Sequence, residues 1–232
     1  MDPAFTVVVP AFNEESSLPG FLSEVLAAAG ATGRSFEVIV VDDGSCDGTR
    51  AAAEAAARAD ERVSVRIHEK NLGLGAALQT GHRAGRGEVH LWLPADGQIP
   101  AFLIPTFLQA AETADVVVST YLRRPDSFIR RLVSWVWRRM LMERLLGFRE
   151  RIEGPIVYRR SVREAFLPTS TTGLFCKEIL LRARRKGFRI SNIEIPCEPR
   201  RLGASKVANF RTAWKSFRET LALKRRLGRE AP

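Results

Sequence analysis

The first 120 residues alternate segments of strand character with segments of helix character, and this alternation restricts the fold more than any other feature. Apolar and β-branched residues form five short runs, at residues 5–9, 36–41, 63–67, 89–93 and 116–118. Helical patterns lie between and after them, at residues 18–29, 50–59, 75–84 and in the stretch that follows residue 100. Such alternation predicts an α/β fold, a mainly parallel sheet with helices on both faces.

One stretch, residues 89–100 (VHLWLPADGQIP), places a carboxylate directly after a predicted buried strand. Pro94 has no amide proton, so strand pairing should end there. Asp96 follows, and Gln98 adds a neutral oxygen ligand. An acid at the carboxyl end of a parallel strand lies where open α/β sheets bind ligands. Taken alone, the stretch is explained equally well as an acidic turn between a strand and a helix.

Two further loops, at residues 10–15 and 42–48, also follow predicted strands, so all three loops can converge on one crevice. Capping of the next helix by DGSCDGT explains Asp47 and Thr49. It does not explain the adjacent pair Asp42 and Asp43, which could accept hydrogen bonds from a base or a ribose. The glycines of NLGLGAALQTG would allow close approach of backbone to a ligand. They match neither a Walker loop nor the dinucleotide fingerprint.

The charge is divided unevenly along the chain. The 232 residues carry a net charge of +10, which combines −8 over residues 1–120 with +18 over residues 121–232. A basic half predicts an anionic partner, either nucleic acid, anionic lipid or a phosphorylated substrate. No RNP, KH or helix-turn-helix signature is present, so we expect no specific nucleic-acid partner.

Cysteine spacing and hydropathy indicate a reducing compartment and no membrane span. Cys46, Cys176 and Cys197 lie far apart without a CxxC pair, which predicts neither a disulfide framework nor a zinc site. The N-terminus lacks the basic start and long apolar core of a signal peptide. Prolines and Asp96 interrupt residues 89–111, which therefore predict a strand and a helix rather than a transmembrane helix.

The C-terminal half predicts two basic amphipathic helices, at residues 127–147 and 207–227. Trp and apolar residues fall at helical spacing in both, flanked by Arg and Lys. The first could lie in a membrane interface or pack on the sheet with its cations in water, and the pattern does not choose between these. The second is a further candidate for a helix that lies in a membrane interface. Between them we expect a strand at residues 155–158, a helix at 175–186 and an edge strand at 189–195.

The motifs VVVPAFNEE, VIVVDDGSCDGT, EKNLGLGAALQTG and LPADGQ, in this order, resemble the core of glycosyltransferase family 2, of GT-A fold. The segment FCKEILLRARRKGFRISNIEIPCEPRRLGASK is similar to polyprenyl-phosphate sugar transferases of the dolichyl-phosphate mannose synthase type. The likeness covers roughly residues 5–206. It implies a catalytic domain at residues 1–206, with a nucleotide-sugar half (1–120) and an acceptor half (121–206), and a basic amphipathic helix at 207–232.

The resemblance also implies a site. Matches to donor-binding positions are Pro10, Phe12, Asn13, Glu14, Asp42, Asp43, Lys70, Asn71, Gly73, Gly75 and Ala95. Asp96 and Gln98 match a metal motif, which implies Mg²⁺ or Mn²⁺ on the donor diphosphate. The implied catalytic set comprises Asp96, Gln98, Arg130, Arg200 and Lys206. Ser205 belongs to the same RxxGxSK signature as Arg200 and Lys206, and Glu178 matches an acid of the C-terminal helix.

The implied reaction is an inverting transfer of a sugar from a GDP- or UDP-sugar to a polyprenyl phosphate. Arg and Lys side chains complete the neutralisation of phosphate charge. A lipid phosphate is already an anion and needs no general base, which agrees with a site in which His68, His82 and His90 have no assigned chemistry. We expect a peripheral protein on the cytoplasmic face, attached to an anionic membrane surface through its basic helices or to a membrane partner protein.

The chain departs from the family pattern at several positions. Phe12 stands where Tyr is usual, Pro94 replaces the first acid of the metal motif, and ERIEGPIVYRR replaces DxxSGFRLFRR, with Glu150 offset and Pro155 in place of Phe. Many relatives also carry transmembrane helices after the catalytic domain, whereas we expect none here. These departures leave two alternatives open: a transferase with a soluble glycan or metabolite acceptor, and a catalytically degenerate scaffold protein.

Overall fold

The computed structural model describes residues 2–122, 143–147, 152–166, 168–198 and 210–229. Its strands are β1 (Phe5–Ala11), β2 (Phe36–Asp42), β3 (Val63–Ile67), β4 (Val89–Trp92), β5 (Val116–Tyr121), β6 (Ile156–Arg159) and β7 (Ile190–Ile195). Its main helices are α1 (Leu18–Gly30), α2 (Thr49–Ala59), α3 (Leu74–Ala84), α4 (Ile104–Thr113), α5 (Arg160–Ala165), α6 (Leu174–Arg185) and α7 (Phe210–Arg229). A short 3-10 turn at Ala101–Leu103 precedes α4, and a single helical turn lies at Arg144–Leu146.

The strands form one sheet in the order β3-β2-β1-β4-β6-β5-β7. Strands β1 to β4 are parallel to one another, and β7 is parallel to β5. Strand β6 lies antiparallel between β4 and β5. The predicted mainly parallel α/β sheet is confirmed, and β7 occupies the edge position that its alternating sequence predicted.

Successive residues of each strand point to opposite faces, and both faces are covered. In β1, Val7 and Val9 pack in a cluster with α1 and α4, whereas Val8 packs in a second cluster with α3, α6 and α7. All seven residues of β1 are buried. Burial on both faces explains why the strand is a continuous apolar run rather than an alternating one.

Of the two predicted basic helices, the structure describes the second and only the last residues of the first. Helix α7, predicted at residues 207–227, is found, and it buries Leu223 and Leu227 against the second cluster. One of its faces is therefore packed on the domain. The predicted helix at 127–147 lies outside the described residues except for 143–147. The division into a domain at 1–206 and a helix at 207–232 stays a prediction.

No helix in the described ranges combines the length and the apolar character that a bilayer crossing requires.

Candidate active site

The three loops predicted to converge do meet at one edge of the sheet. Strands β1 and β2 run in register up to the pair Ala11 and Asp42, and the Asp43 amide donates to the Ala11 carbonyl at 2.9 Å. On the other side of β1, the Ala95 amide donates to the Pro10 carbonyl at 3.4 Å. The carboxyl ends of β1, β2 and β4 thus bring Asp42, Asp43 and Asp96 to the same edge.

The first loop is joined to the second by reciprocal hydrogen bonds. Asn13, held at a positive φ of 53°, donates its amide to the Ser45 hydroxyl at 2.9 Å, and its side-chain oxygen accepts from the Cys46 amide at 2.8 Å. The Glu14 amide donates to the Thr49 hydroxyl at 2.7 Å. Asn tolerates this left-handed backbone better than most residues. These bonds fix the two loops as one rigid unit.

Asp47 has the capping role that the sequence suggested. Its carboxylate accepts from the Thr49 amide at 3.0 Å and from the Thr49 hydroxyl at 2.5 Å. Burial opposes ionisation, but these hydrogen bonds and others from backbone amides prevail and hold the pKa of Asp47 below its usual value. Asp47 therefore stabilises the start of α2.

Asp42 and Asp43 are both buried, and the protein itself uses each of them as an acceptor. Asp42 accepts from the Ser45 amide at 3.0 Å. Asp43 accepts from the Leu72 and Gly73 amides at 3.0 and 2.8 Å, and one of its oxygens lies 2.7 Å from Nδ1 of His68. Asp43 therefore anchors the segment that leads into the first turn of α3, hereafter the donor loop (residues 69–75).

His68 is a site residue that the sequence patterns missed. Its ring lies between Asp43 and Thr80, with Nε2 2.9 Å from the Thr80 hydroxyl, so it links the acidic pair to α3. Its side chain is 9 % exposed. Its position directly after β3, at the same sheet edge as the acidic loops, was the available signal.

The glycines around the donor loop allow close approach of backbone to backbone. A Cβ on Gly44 would lie 2.3 Å from the Lys70 carbonyl carbon, and one on Gly75 would lie 2.5 Å from the Thr171 carbonyl carbon. Real Cβ atoms do not approach so closely, so a side chain at either position would displace backbone. Gly44 fits the second loop against Lys70 and Asn71, and Gly75 fits the start of α3 against residues 170–172.

Asp96 is 7 % exposed and accepts from the Gln98 amide at 3.1 Å. Ala95 beside it is buried, and the Gln98 carbonyl accepts from the Glu198 amide at 2.9 Å, which ties this turn to the segment that follows β7. Across the described residues no group of three or more His, Cys, Asp or Glu side chains could hold a metal ion. The predicted metal motif therefore stays a pair, the carboxylate of Asp96 and the side-chain amide oxygen of Gln98.

Glu178 is fully buried and organises a neighbouring loop. It accepts from the amides of Thr169 and Ser170 at 3.0 and 2.9 Å, and Arg182 lies 3.2 Å from it. Its contacts are structural ones.

Several predicted residues lie outside the described ranges, so their roles stay predictions. They are Arg130, Glu150, Arg200, Ser205 and Lys206.

A mainly parallel sheet with acidic loops joined at its carboxyl edge defines an α/β protein of the class that binds ligands at its strand ends. The chain belongs to glycosyl transferase family 2, whose model matches residues 6–180. The resemblance drawn from the motifs is thereby confirmed.

Curated relatives share a common activity in their names. An undecaprenyl-phosphate 4-deoxy-4-formamido-L-arabinose transferase of Pseudomonas aeruginosa (strain LESB58) is 39% identical over 166 residues, covering 70% of this chain and 49% of its own length. A protein of the same name from Pectobacterium carotovorum is 32% identical over 205 residues, covering 87% of this chain and 62% of its own. The chain thus spans about half the length of the first of these relatives.

Solved structures show the same fold. Glucosyl-3-phosphoglycerate synthase from Mycobacterium tuberculosis, with Mn²⁺, UDP and phosphoglyceric acid, has a TM-score of 0.70 at 18% identity, covering 95% of this chain and 77% of its own. A mannosyltransferase from Pyrobaculum calidifontis, with GDP-Man and Mn²⁺, has a TM-score of 0.65 at 20% identity, covering 100% and 66%. The chain therefore has the GT-A fold, and both of these relatives by fold are complexed with a divalent metal.

Proposed function

We propose that the protein transfers a sugar from a GDP- or UDP-sugar to a polyprenyl phosphate at a membrane surface, with inversion at the anomeric carbon. Binding of the nucleotide sugar is supported by one observation, the convergence of Asp42, Asp43 and Asp96 at the carboxyl edge of the sheet. The acceptor half is supported by the names of the curated relatives, which are undecaprenyl-phosphate sugar transferases.

Within the donor site, the two acids of the second loop have different tasks. Asp43 already accepts from two amides and pairs with His68, so three of its roughly four acceptor positions are used by the protein. Its proposed role is to hold the donor loop in place. Asp42 is then the carboxylate that contacts the base or ribose. The other residues that we assign to the donor site are Pro10, Phe12, Asn13, Glu14, Lys70, Asn71 and Ala95.

The residues present fit a divalent cation that the substrate helps to bind. Mg²⁺ is commonly held by one or two carboxylates together with phosphate oxygens and water, and Asp96 with Gln98 supplies such a partial set. Bound there, Mg²⁺ or Mn²⁺ would neutralise charge on the diphosphate leaving group. Pro94→Asp adds the missing acid and is expected to tighten Mn²⁺ binding about tenfold in the presence of UDP or GDP, measured by titration calorimetry. Equal or weaker affinity than in the native protein would contradict this account of Pro94.

The proposed transfer needs no general base. An oxygen of the acceptor phosphate attacks the anomeric carbon, the new C–O bond forms, and the bond to the nucleoside diphosphate breaks with its electron pair on the departing oxygen. The phosphate enters as an anion, so no proton has to be removed. Arg130, Arg200 and Lys206 would pair with donor or acceptor phosphates, because guanidinium and ammonium groups offer charge-assisted hydrogen bonds.

Attachment to the membrane is proposed through α7. Trp214 is 54 % exposed and stacks on Phe217, and it lies with Lys215 and Arg218 around a shallow depression. Other exposed cations on the helix are Lys224, Arg225 and Arg229. Each cation contributes roughly 1 kcal/mol near an anionic leaflet, and an exposed Trp suits the interface. This supports a peripheral position on the inner face of the membrane.

Two experiments test the proposal. The purified protein is incubated with undecaprenyl phosphate vesicles, Mn²⁺ or Mg²⁺, and a panel of UDP- and GDP-linked sugars that includes 4-deoxy-4-formamido-L-arabinose, and lipid-linked sugar is measured. Absence of transfer from every donor refutes the function. Flotation with phosphatidylglycerol vesicles tests the membrane surface: a protein that stays in solution favours the alternative soluble acceptor, and one that also binds no nucleotide favours the scaffold.

A further inference from the structure

The loop at residues 168–173 is held between two carboxylates from different helices. Glu178 of α6 accepts from Thr169 and Ser170. Glu219 of α7 accepts from the Thr171 amide and hydroxyl at 3.1 and 2.5 Å, and from the Thr172 amide and hydroxyl at 3.2 and 2.7 Å. Four donors on one carboxylate make a strong and geometrically demanding contact.

Glu219 stands out in its own helix. Residues 210–229 contain seven Lys and Arg but only this one acid. A lone carboxylate on a cationic helix could pair with its neighbours on the surface, yet it is aimed at the four donors of the loop. Charge-assisted bonds to backbone amides fix position as well as charge, since the amides cannot rotate away.

The loop that Glu219 holds is the surface on which the donor loop rests. The start of α3 lies so close to it that a Cβ on Gly75 would meet the Thr171 carbonyl carbon and the Thr172 oxygen at 2.5 Å. Gln79 of α3 donates to the Ser170 carbonyl at 2.8 Å. Any shift of residues 170–172 is therefore passed directly to residues 73–79.

Helix α7 also contacts the donor loop directly. Lys215, one turn before Glu219, donates its ammonium to the Leu72 carbonyl at 2.9 Å. The amide of the same Leu72 is held by Asp43. The donor loop is thus fixed on one side by the acidic pair and on the other by α7.

We propose that Glu219 is a positioning residue for the nucleotide donor: through Thr171 and Thr172, and with Lys215 beside it, it sets the conformation of the donor loop. This inference rests on the proposed function, because it assigns the nucleotide to that loop. Glu219 touches no substrate in this scheme. Glu219 limits the conformational freedom of residues 69–77, and through this it raises the affinity for the donor.

The test compares Glu219→Gln with a matched control, Glu164→Gln, which makes the same change at an exposed position of α5. Hydrogen–deuterium exchange is followed along the whole chain, and affinity for UDP and GDP with Mn²⁺ is measured by calorimetry. In Glu219→Gln we expect exchange in residues 69–77 to quicken about fivefold or more, and nucleotide to bind about three- to tenfold more weakly. The control should match the native protein in both.

Three further variants guard against a variant that does not fold and separate the effect of position from that of charge. Thr171→Val removes one donor from the loop side and should quicken exchange in the same residues. Lys215→Met should loosen the donor loop, whereas Lys224→Met, with the same loss of charge on the same helix, should not.

Unchanged exchange in residues 69–77 of folded Glu219→Gln or Thr171→Val would overturn the proposal. So would faster exchange there with unaltered nucleotide affinity. A native protein that binds no nucleotide refutes the proposed function instead, and the exchange measurements then decide alone whether α7 sets the loop.

Discussion

Two buried histidines, His82 of α3 and His90 of β4, predict that the protein loses stability in mild acid. They are 2 % and 0 % exposed, and their ring centroids lie 5.5 Å apart. His82 stacks on Phe175, and within the described residues neither of its ring nitrogens has a hydrogen-bond partner. A charged imidazole in this position would be buried without a hydrogen-bond partner to offset the loss of its hydration.

The pKa values of both rings are lowered, mainly by burial. The pKa of His82 falls well below its usual value, with His90 and Arg163 adding to the effect. Burial, with Arg163 and Arg160 contributing, lowers the pKa of His90 to about 3. Below pH 6.5 the unfolded chain gains protons that the folded protein does not, so stability present at neutral pH is lost progressively as the pH falls toward 3.

The magnitude follows from the linkage relation. Between pH 7.5 and 5.5 an unfolded histidine of pKa about 6.5 gains nearly a full proton, which costs the folded state about 1.4 kcal/mol. The two histidines together cost about 3 kcal/mol. For a domain of this size, that corresponds to a fall in melting temperature of about 6–12 °C.

The assay is urea unfolding at pH 7.5 and 5.5 of the native protein, His82→Phe and the double variant His82→Phe, His90→Phe. The three proteins are otherwise identical, so the comparison isolates the effect of His82 and His90. We expect the loss of unfolding free energy between the two pH values to shrink by about 1.4 kcal/mol in the single variant and by about 3 kcal/mol in the double variant. Equal losses in all three proteins would refute the argument.

Three further predictions concern the site and the core. Asp96→Ala should lower the initial rate of sugar transfer by at least roughly 10²–10³-fold, because it removes the carboxylate that we propose acts at the donor diphosphate, and native activity in this variant would mean that another group holds the donor. Gly75→Ala should cost about 1–3 kcal/mol in urea unfolding, because its Cβ would lie 2.5 Å from residue 171, whereas Gly20→Ala, with no atom within 4 Å, should not destabilise. Cys46 is exposed and Cys176 is buried with its pKa raised to about 12, chiefly by burial, so iodoacetamide at pH 8 should modify Cys46 and spare Cys176 until the protein unfolds, as mass spectrometry would show.

Elements with a strong local pattern were predictable from the sequence. Strand β2 was predicted at residues 36–41 and spans 36–42, and α6 was predicted at 175–186 and spans 174–185. These patterns depend only on which face of a segment is buried. The position of β6 between β4 and β5 depends instead on pairing between residues far apart in sequence, and nothing in the run IVYR specifies an antiparallel neighbour.

The candidate site divides in the same way. Motif order identified Asp42, Asp43 and Asp96, and the structure brings all three to one edge. The motifs did not show that hydrogen bonds within the protein use most of the acceptor capacity of the Asp43 carboxylate. Those bonds come from His68 and Leu72, which lie 25 and 29 residues away in the sequence. Glu219 was missed for the same reason, since its partners lie 47 and 48 residues earlier and its helix appears in the sequence only as a basic amphipathic pattern.

The contact between α7 and the donor loop has a consequence for biosynthesis. Lys215 and Leu72 are separated by 143 residues, so a nascent chain exposes the donor loop long before the ribosome has produced the helix that supports it. The strands that carry the acidic loops can pair earlier, since β1, β2, β3 and β4 all lie within residues 5–92. The proposed nucleotide site is therefore completed late in synthesis, when residues 215–219 emerge and dock.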